Sequence, residues 1–226
     1  STILISIKGF KDQFFFNKYK FEINSINRGE KIRMFSSGFL HVDYNHLFLN
    51  LFTLYLFSNQ VFLRVGSLNY LIIYFVSLYI GNYFTLKYHE KDPLYSAVGA
   101  SGAVSGIVYS SIILYPQMKL ALIFLPIPLP GYVFGIFYML YSIYGMNKKI
   151  GNIGHTAHFG GAVAGLFTTL LIKPEITTPT NKATKINREI TFNKVGFIYS
   201  NTKIKALNNI SFNLKDDNTL GIIGKT

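Results

Sequence analysis

Along this chain of 226 residues, long uncharged stretches alternate with short basic connections. Leu47–Leu63, Leu68–Leu86, Leu94–Met118, Leu120–Asn147 and Ile150–Ile172 contain no Asp, Glu, Lys or Arg. A helix needs about 20 apolar residues to cross the hydrocarbon core of a bilayer, so the pattern predicts five spans. Residues 1–7, Ser-Thr-Ile-Leu-Ile-Ser-Ile, read as the last turns of a sixth whose beginning is missing. No stretch alternates with period two over the roughly ten residues of a barrel strand, which argues against a membrane barrel. From Lys8 to Arg33, cations interleave with Phe14, Phe15, Phe16, Tyr19 and Phe21. That mixture suits either a loop at the membrane interface or an ordinary connection. Pro126, Pro128 and Pro130 each remove an amide donor, so no regular helix crosses them, and the next helix is expected from near Gly131. After Lys173 the pattern changes. Residues 174–188 read as a linker, and 189–226 alternate like short strands at 190–192, 196–199, 210–214 and 220–223. The expected fold is an all-α polytopic membrane protein with its first helix truncated and a short β-rich C-terminal fragment. Its parts are the helix end and interfacial loop at 1–40, a transmembrane core at 41–173, the linker, and the strands from 189.

Composition sharpens this picture. Half of the residues are hydrophobic and 14% are charged, with 21 Phe and 16 Tyr, far from soluble usage. A net charge of +12 would suggest nucleic acid in a soluble domain. Here the cations sit in the connections and the tail, so the expected partner is the anionic surface of a lipid bilayer and not nucleic acid. The positive-inside count is ambiguous until the basic tail is included, which places the tail in the cytoplasm. The expected location is multi-pass in a bacterial cytoplasmic membrane. The absence of cysteine excludes a disulfide framework, a thiolate nucleophile and a zinc–thiolate site.

Polar groups inside spans are functional candidates because they are costly there. Ser101 stands between Gly99 and Gly102; taken alone, that pattern is more often a packing seam than a nucleophile. His46 and Asn50, four apart, share one helical face. Asn152, His155 and His158 run into Gly161 and Gly165, a G-x-x-x-G face for which Gly99, Gly102 and Gly106 offer a mate. Contact of the two faces would bring His158 to Ser101. Ser101 would then attack a carbonyl, with His158 as general base. The Ser101 amide, Asn50 and His46 would donate to the oxyanion. Between Asp92 and Glu175 there is no acidic residue, and Asp43 is poorly placed, so a Ser–His dyad is expected, not a triad. The alternatives are histidines that only pack, an Asn50 that bridges helices, or His41, His46, His155 and His158 as metal ligands. Their spacing matches no H-E-x-x-H site and no carboxylate completes one, so neither metal nor cofactor is expected.

These residues resemble the rhomboid intramembrane serine proteases. Gly99-Ala-Ser-Gly-Ala103 is similar to the nucleophile motif. Gly38-Phe-Leu-His41 and His46-Leu-Phe-Leu-Asn50 resemble the second helix, and Ala157-His158-Phe-Gly-Gly161 with Gly165 resembles the last. The resemblance covers about residues 8–173. It implies a six-helix core, with the nucleophile at the top of the fourth helix in a cavity open to the non-cytoplasmic side. It also implies a membrane-embedded first loop, and a lateral gate after the proline run through which a substrate's transmembrane segment enters. The expected function is cleavage of transmembrane segments of membrane-protein substrates. One departure stands out. The family commonly has an aromatic residue one turn after the nucleophile, packed on the catalytic histidine, and here that position is Ser105. An inactive, client-binding relative is therefore the alternative.

The tail has a resemblance of its own. Residues 190–199, Ala206-Leu-Asn-Asn-Ile-Ser-Phe212 and Thr219-Leu-Gly-Ile-Ile-Gly-Lys-Thr226 look like the opening strands of an ABC-type ATPase, with Tyr199 as its adenine-stacking aromatic. A phosphate loop ending at Thr226 would need glycine at position 219, which is Thr219. No complete nucleotide site is expected, and a fragment of an ABC exporter fusion is a third reading.

Overall fold

The computed structural model describes residues 2–122, 125–148, 154–176, 189–198 and 205–215. They fall into two compact units, 1–178 and 179–226. In the first, α1 (Thr2–Lys11) leads into the short helices α2 (Gln13–Tyr19), α3 (Ile23–Asn27) and α4 (Arg33–Ser36). Long helices follow: α5 (Tyr44–Val65), α6 (Ser67–Tyr88), α7 (Ser101–Leu114), α8 (Gly131–Lys148) and α9 (His155–Ile172). The strands β1 (Phe21–Glu22) and β2 (Ser96–Ala97) pair antiparallel, as do β3 (Lys119–Leu122) and β4 (Leu125–Pro130).

Local chemistry sets these boundaries. Asp43 caps α5 by accepting the His46 amide at 2.7 Å, satisfying one of the free donors of a first turn. Gly66, at φ +82°, ends α5 and starts α6 at once. The uncharged stretch 94–118 is not helical throughout, because the helix begins only at Ser101. Residues before it pair with the interfacial segment through β1 and β2, placing Phe21 opposite Ala97. The proline run lies in the β3–β4 hairpin, and α8 starts at Gly131 as its spacing predicts. The segment read as an interfacial loop is largely helical. Arg33 ties it together by donating to the Asn17 and Lys20 carbonyls while its Nε reaches Glu30 at 2.7 Å.

The interior of the bundle is small and hydroxylated. Ser77, Ser110, Ser111 and Thr169 are fully buried, whereas Tyr55, Leu63 and Leu171 are 79%, 73% and 82% exposed. Side-chain hydroxyls bond across the helices: Thr169 donates to Ser110 at 2.7 Å, and Thr85 lies 3.0 Å from Thr156. Small polar residues inside and large apolar ones outside suit a bundle immersed in lipid. Among the described residues, one helix, α5, is long and apolar enough to cross a membrane by length and composition.

The second unit is a hairpin of β5 (Glu189–Ile198) and β6 (Lys205–Lys215), paired from Glu189↔Lys215 to Ile198↔Lys205. The stretches expected at 190–192 and 210–214 fall within these strands. Tyr199 and the expected strand at 220–223 lie outside the described residues.

Candidate active site

Ser101 is the first residue of α7, half-buried, and follows a sharp entry. Gly99 has φ +130°, and a Cβ there would lie 2.7 Å from His46 Cε1, so both its backbone and the ring beside it demand glycine. The Gly99 amide donates to the Ser37 carbonyl at 3.0 Å, and the Ala100 amide to His41 Nε2 at 3.4 Å. The approach to Ser101 is thus held from the segment before α5. The Ser101 amide belongs to the first turn of its helix, where N–H groups have no intrahelical partner.

His41 is fully buried between two partners. Because Nε2 accepts from Ala100, Nδ1 carries the proton and donates to Ser6 Oγ at 2.9 Å, and Ser6 donates in turn to the Phe39 carbonyl. Burial pushes the His41 imidazole down to about 4; nearby His46 acts in the same direction and Asp43 opposes it. His46 packs edge-on against His41, centroids 4.9 Å apart, and its Nδ1 finds no hydrogen-bond partner among the described residues. Asn50, also buried, donates to the His46 carbonyl at 2.9 Å, which engages one of its two amide hydrogens.

Helices α7 and α9 meet backbone to backbone. A Cβ on Gly161 would come within 2.1 Å of the Gly102 carbonyl oxygen, and one on Gly165 within 2.3 Å of the Gly106 oxygen. The expected seam therefore forms through Gly102 and Gly106, while Gly99 serves His46 instead. A Cβ on Gly102 would meet the Ala157 carbonyl at 3.3 Å. Ser101 and His158 each adjoin one side of this crossing. Asn152 lies outside the described residues. His155 is buried, its ring 5.2 Å from Tyr141 and 6.4 Å from His158.

Two features escaped the sequence. Helix α6 makes a second close seam, where Gly81 sits under Ala157 and Gly161 while Gly160 faces Gly81 and Phe84. Ser77-x-x-x-Gly81 was the readable signal for it. The other is Tyr138 on α8. Its hydroxyl is 3.1 Å from His158 Nδ1, and its ring stacks on the imidazole at 6.3 Å and 20°. Nothing in the spacing of a Tyr-rich helix singles it out. Asp43, the carboxylate weighed for the histidine, is occupied with its helix cap.

Fold and site together define a helical protein of membrane type, with a serine and a histidine beside one glycine crossing. Residues 28–175 match the Rhomboid domain. The chain is 29% identical over 175 residues to RHOMBOID-like protein 12, mitochondrial, of Arabidopsis thaliana, covering 71% of this chain and 52% of that protein. It is 28% identical over 139 residues to Rhomboid protein 1, mitochondrial, of Saccharomyces cerevisiae, covering 60% and 40%. With Presenilin-associated rhomboid-like protein, mitochondrial, of Homo sapiens, it shares 27% identity over 140 residues, covering 59% and 36%. The chain belongs to the rhomboid family, a membrane-embedded family. It spans about half, or less, of the length of these curated relatives. Their mitochondrial names lend no support to a bacterial cytoplasmic membrane.

Proposed function

We propose that this chain is an intramembrane serine endopeptidase that cuts transmembrane segments of membrane-protein substrates with a Ser101–His158 dyad. The observation that carries this reading is the glycine crossing of α7 and α9, which sets the serine and the histidine on facing helices. Ser101 Oγ attacks the scissile carbonyl carbon as its proton passes to His158 Nε2. The oxyanion is met by the Ser101 amide, His46 and Asn50; the unpartnered His46 Nδ1 is the donor with most to gain. His158 returns the proton to the leaving amine, and water then hydrolyses the acyl-enzyme. His41 supports the Ala100–Ser101 peptide, and Gly99, Gly102, Gly161 and Gly165 set the approach distances. The core would be the family's six-helix bundle in a bilayer, probed by transmembrane substrates. Residues 189–226 would be the opening strands of an ABC-type ATPase, a reading that rests on sequence alone.

The experiment is labelling of Ser101 by a fluorophosphonate, with cleavage of a model membrane substrate by wild type, Ser101→Ala and His158→Ala. Both variants are expected to lose cleavage. Unchanged turnover in Ser101→Ala would sink the assignment. The buried Ser105, in place of an aromatic, is the departure behind the inactive client-binding reading, for which client capture without labelling would decide.

A further inference from the structure

We infer that Tyr138, backed by Ser105, is the positioning residue for His158 and takes the place of the carboxylate that orients a catalytic histidine elsewhere. This rests on the reading of Ser101 and His158 as the dyad. For His158 to accept the Ser101 proton at Nε2, its other proton must sit on Nδ1, and something must accept from Nδ1 to hold that tautomer. Tyr138 Oη lies 3.1 Å from Nδ1. The direction follows: His158 Nδ1–H donates to Tyr138 Oη. Ser105, buried on α7, is a further polar neighbour of the Tyr138 hydroxyl. Ser105 occupies the position one turn below Ser101 where an aromatic would otherwise fill the space, and a small hydroxyl there admits the tyrosine from α8. The stacked ring contact with His158 fixes the plane of the imidazole as well as its proton.

Tyr138 is itself held. Phe134 stacks on it at 6.2 Å and 8°, Tyr109 lies 6.3 Å away, and the Tyr109 hydroxyl donates to the Gly135 carbonyl at 2.5 Å, tying α7 to α8 one turn before Tyr138. Among the described residues no carboxylate hydrogen-bonds His158, so the neutral tyrosine hydroxyl is the orienting contact found at Nδ1.

The test compares full-length wild type, Tyr138→Phe, Ser105→Ala and the double variant in detergent and in liposomes. Tyr138→Phe keeps the ring and loses the hydroxyl. It is expected to lower kcat, and the rate of fluorophosphonate labelling at Ser101, about tenfold, with KM unchanged. Ser105→Ala is expected to cost about threefold, and the double variant no more than Tyr138→Phe alone, because Ser105 acts through the tyrosine. Nitrogen NMR of His158 should show the Nδ1–H tautomer in wild type and a mixture in Tyr138→Phe. A kcat within twofold of wild type in Tyr138→Phe, with the His158 tautomer unaltered, overturns the inference while leaving the dyad standing. A wild-type chain that neither labels nor cleaves, yet shows the tautomer shift on Tyr138→Phe, retires the protease reading and keeps the contact.

Discussion

Replacing Gly161 by alanine puts the α7–α9 crossing to a quantitative test. The added Cβ would lie 2.1 Å from the Gly102 carbonyl oxygen and 2.9 Å from Gly102 Cα. Ordinary contact needs about 3.4 Å or more, so the helices must part by roughly 1.3 Å, since both offending atoms are backbone. Overpacking of this kind costs about 1–3 kcal/mol. The functional cost is larger, because a misplacement of about 1 Å between reacting groups can lower turnover about a hundredfold. Gly161→Ala is therefore expected to stay folded with a lowered Tm and to lose about two orders of magnitude in kcat/KM on a model membrane substrate. Gly102→Ala, whose Cβ would meet the Ala157 oxygen at 3.3 Å, should lose far less. Gly154→Ala, with its nearest neighbour at 3.9 Å, should match wild type. The assay is substrate cleavage alongside thermal unfolding for all three. Activity in Gly161→Ala within twofold of wild type would refute the reasoning, as would equal losses across the series.

Two further perturbations follow from the residues that hold the serine. His41 titrates at about 4 in the fold against 6.5 unfolded, so between those values the unfolded chain binds more protons. The stability it contributes is complete above pH 6.5 and is lost as pH falls through 4, about 3 kcal/mol in all. Unfolding midpoints from pH 7 to 4 should therefore drop for wild type and flatten in His41→Gln; parallel profiles would contradict this. Gly99→Ala forces a side chain into φ +130° and against the His46 ring, and is expected to destabilise by about 1–3 kcal/mol with loss of Ser101 labelling; denaturant unfolding and probe kinetics measure both.

The sequence exposes the parts of this architecture that depend on spacing. The G-x-x-x-G pair at Gly161 and Gly165 found its mate at Gly102 and Gly106 because small residues one turn apart leave a face without side chains, and close approach is their consequence. The start of α8 after three prolines was legible for the same local reason. What stayed hidden depends on the third dimension. The strand pair of Phe21 with Ala97 joins segments far apart in sequence, and neither carries a strand pattern long enough to see. The α7 start at Ser101, and not at Leu94, comes from that pairing and from the Gly99 turn, neither visible in an uncharged run. Gly99 itself looked like part of the helical seam, yet its φ places it outside the helix, where the His46 ring is what it accommodates. Tyr138 was one of several tyrosines on α8, and only the packing of α8 beside α9 distinguishes it.

The missing carboxylate and the missing aromatic are, on the proposed reading, one feature seen twice. A charged acid placed against His158 would sit among apolar helices, where an ionised side chain costs about 3 kcal/mol even on lenient scales. It would repay that only while the histidine is also charged. A tyrosine orients the same nitrogen without a permanent charge, and its ring adds the stacking that an acid lacks. That solution needs room for a ring arriving from α8, and the room exists because position 105 is serine. Ser105 then sets a second hydroxyl beside that of the tyrosine. A large residue at 105 would support the histidine from α7 but displace Tyr138; a small apolar one would remove the neighbouring hydroxyl. The departure from the family's aromatic at Ser105 is thus consistent with an active site supported from α8, and it ties the alignment of His158 to the position of that helix.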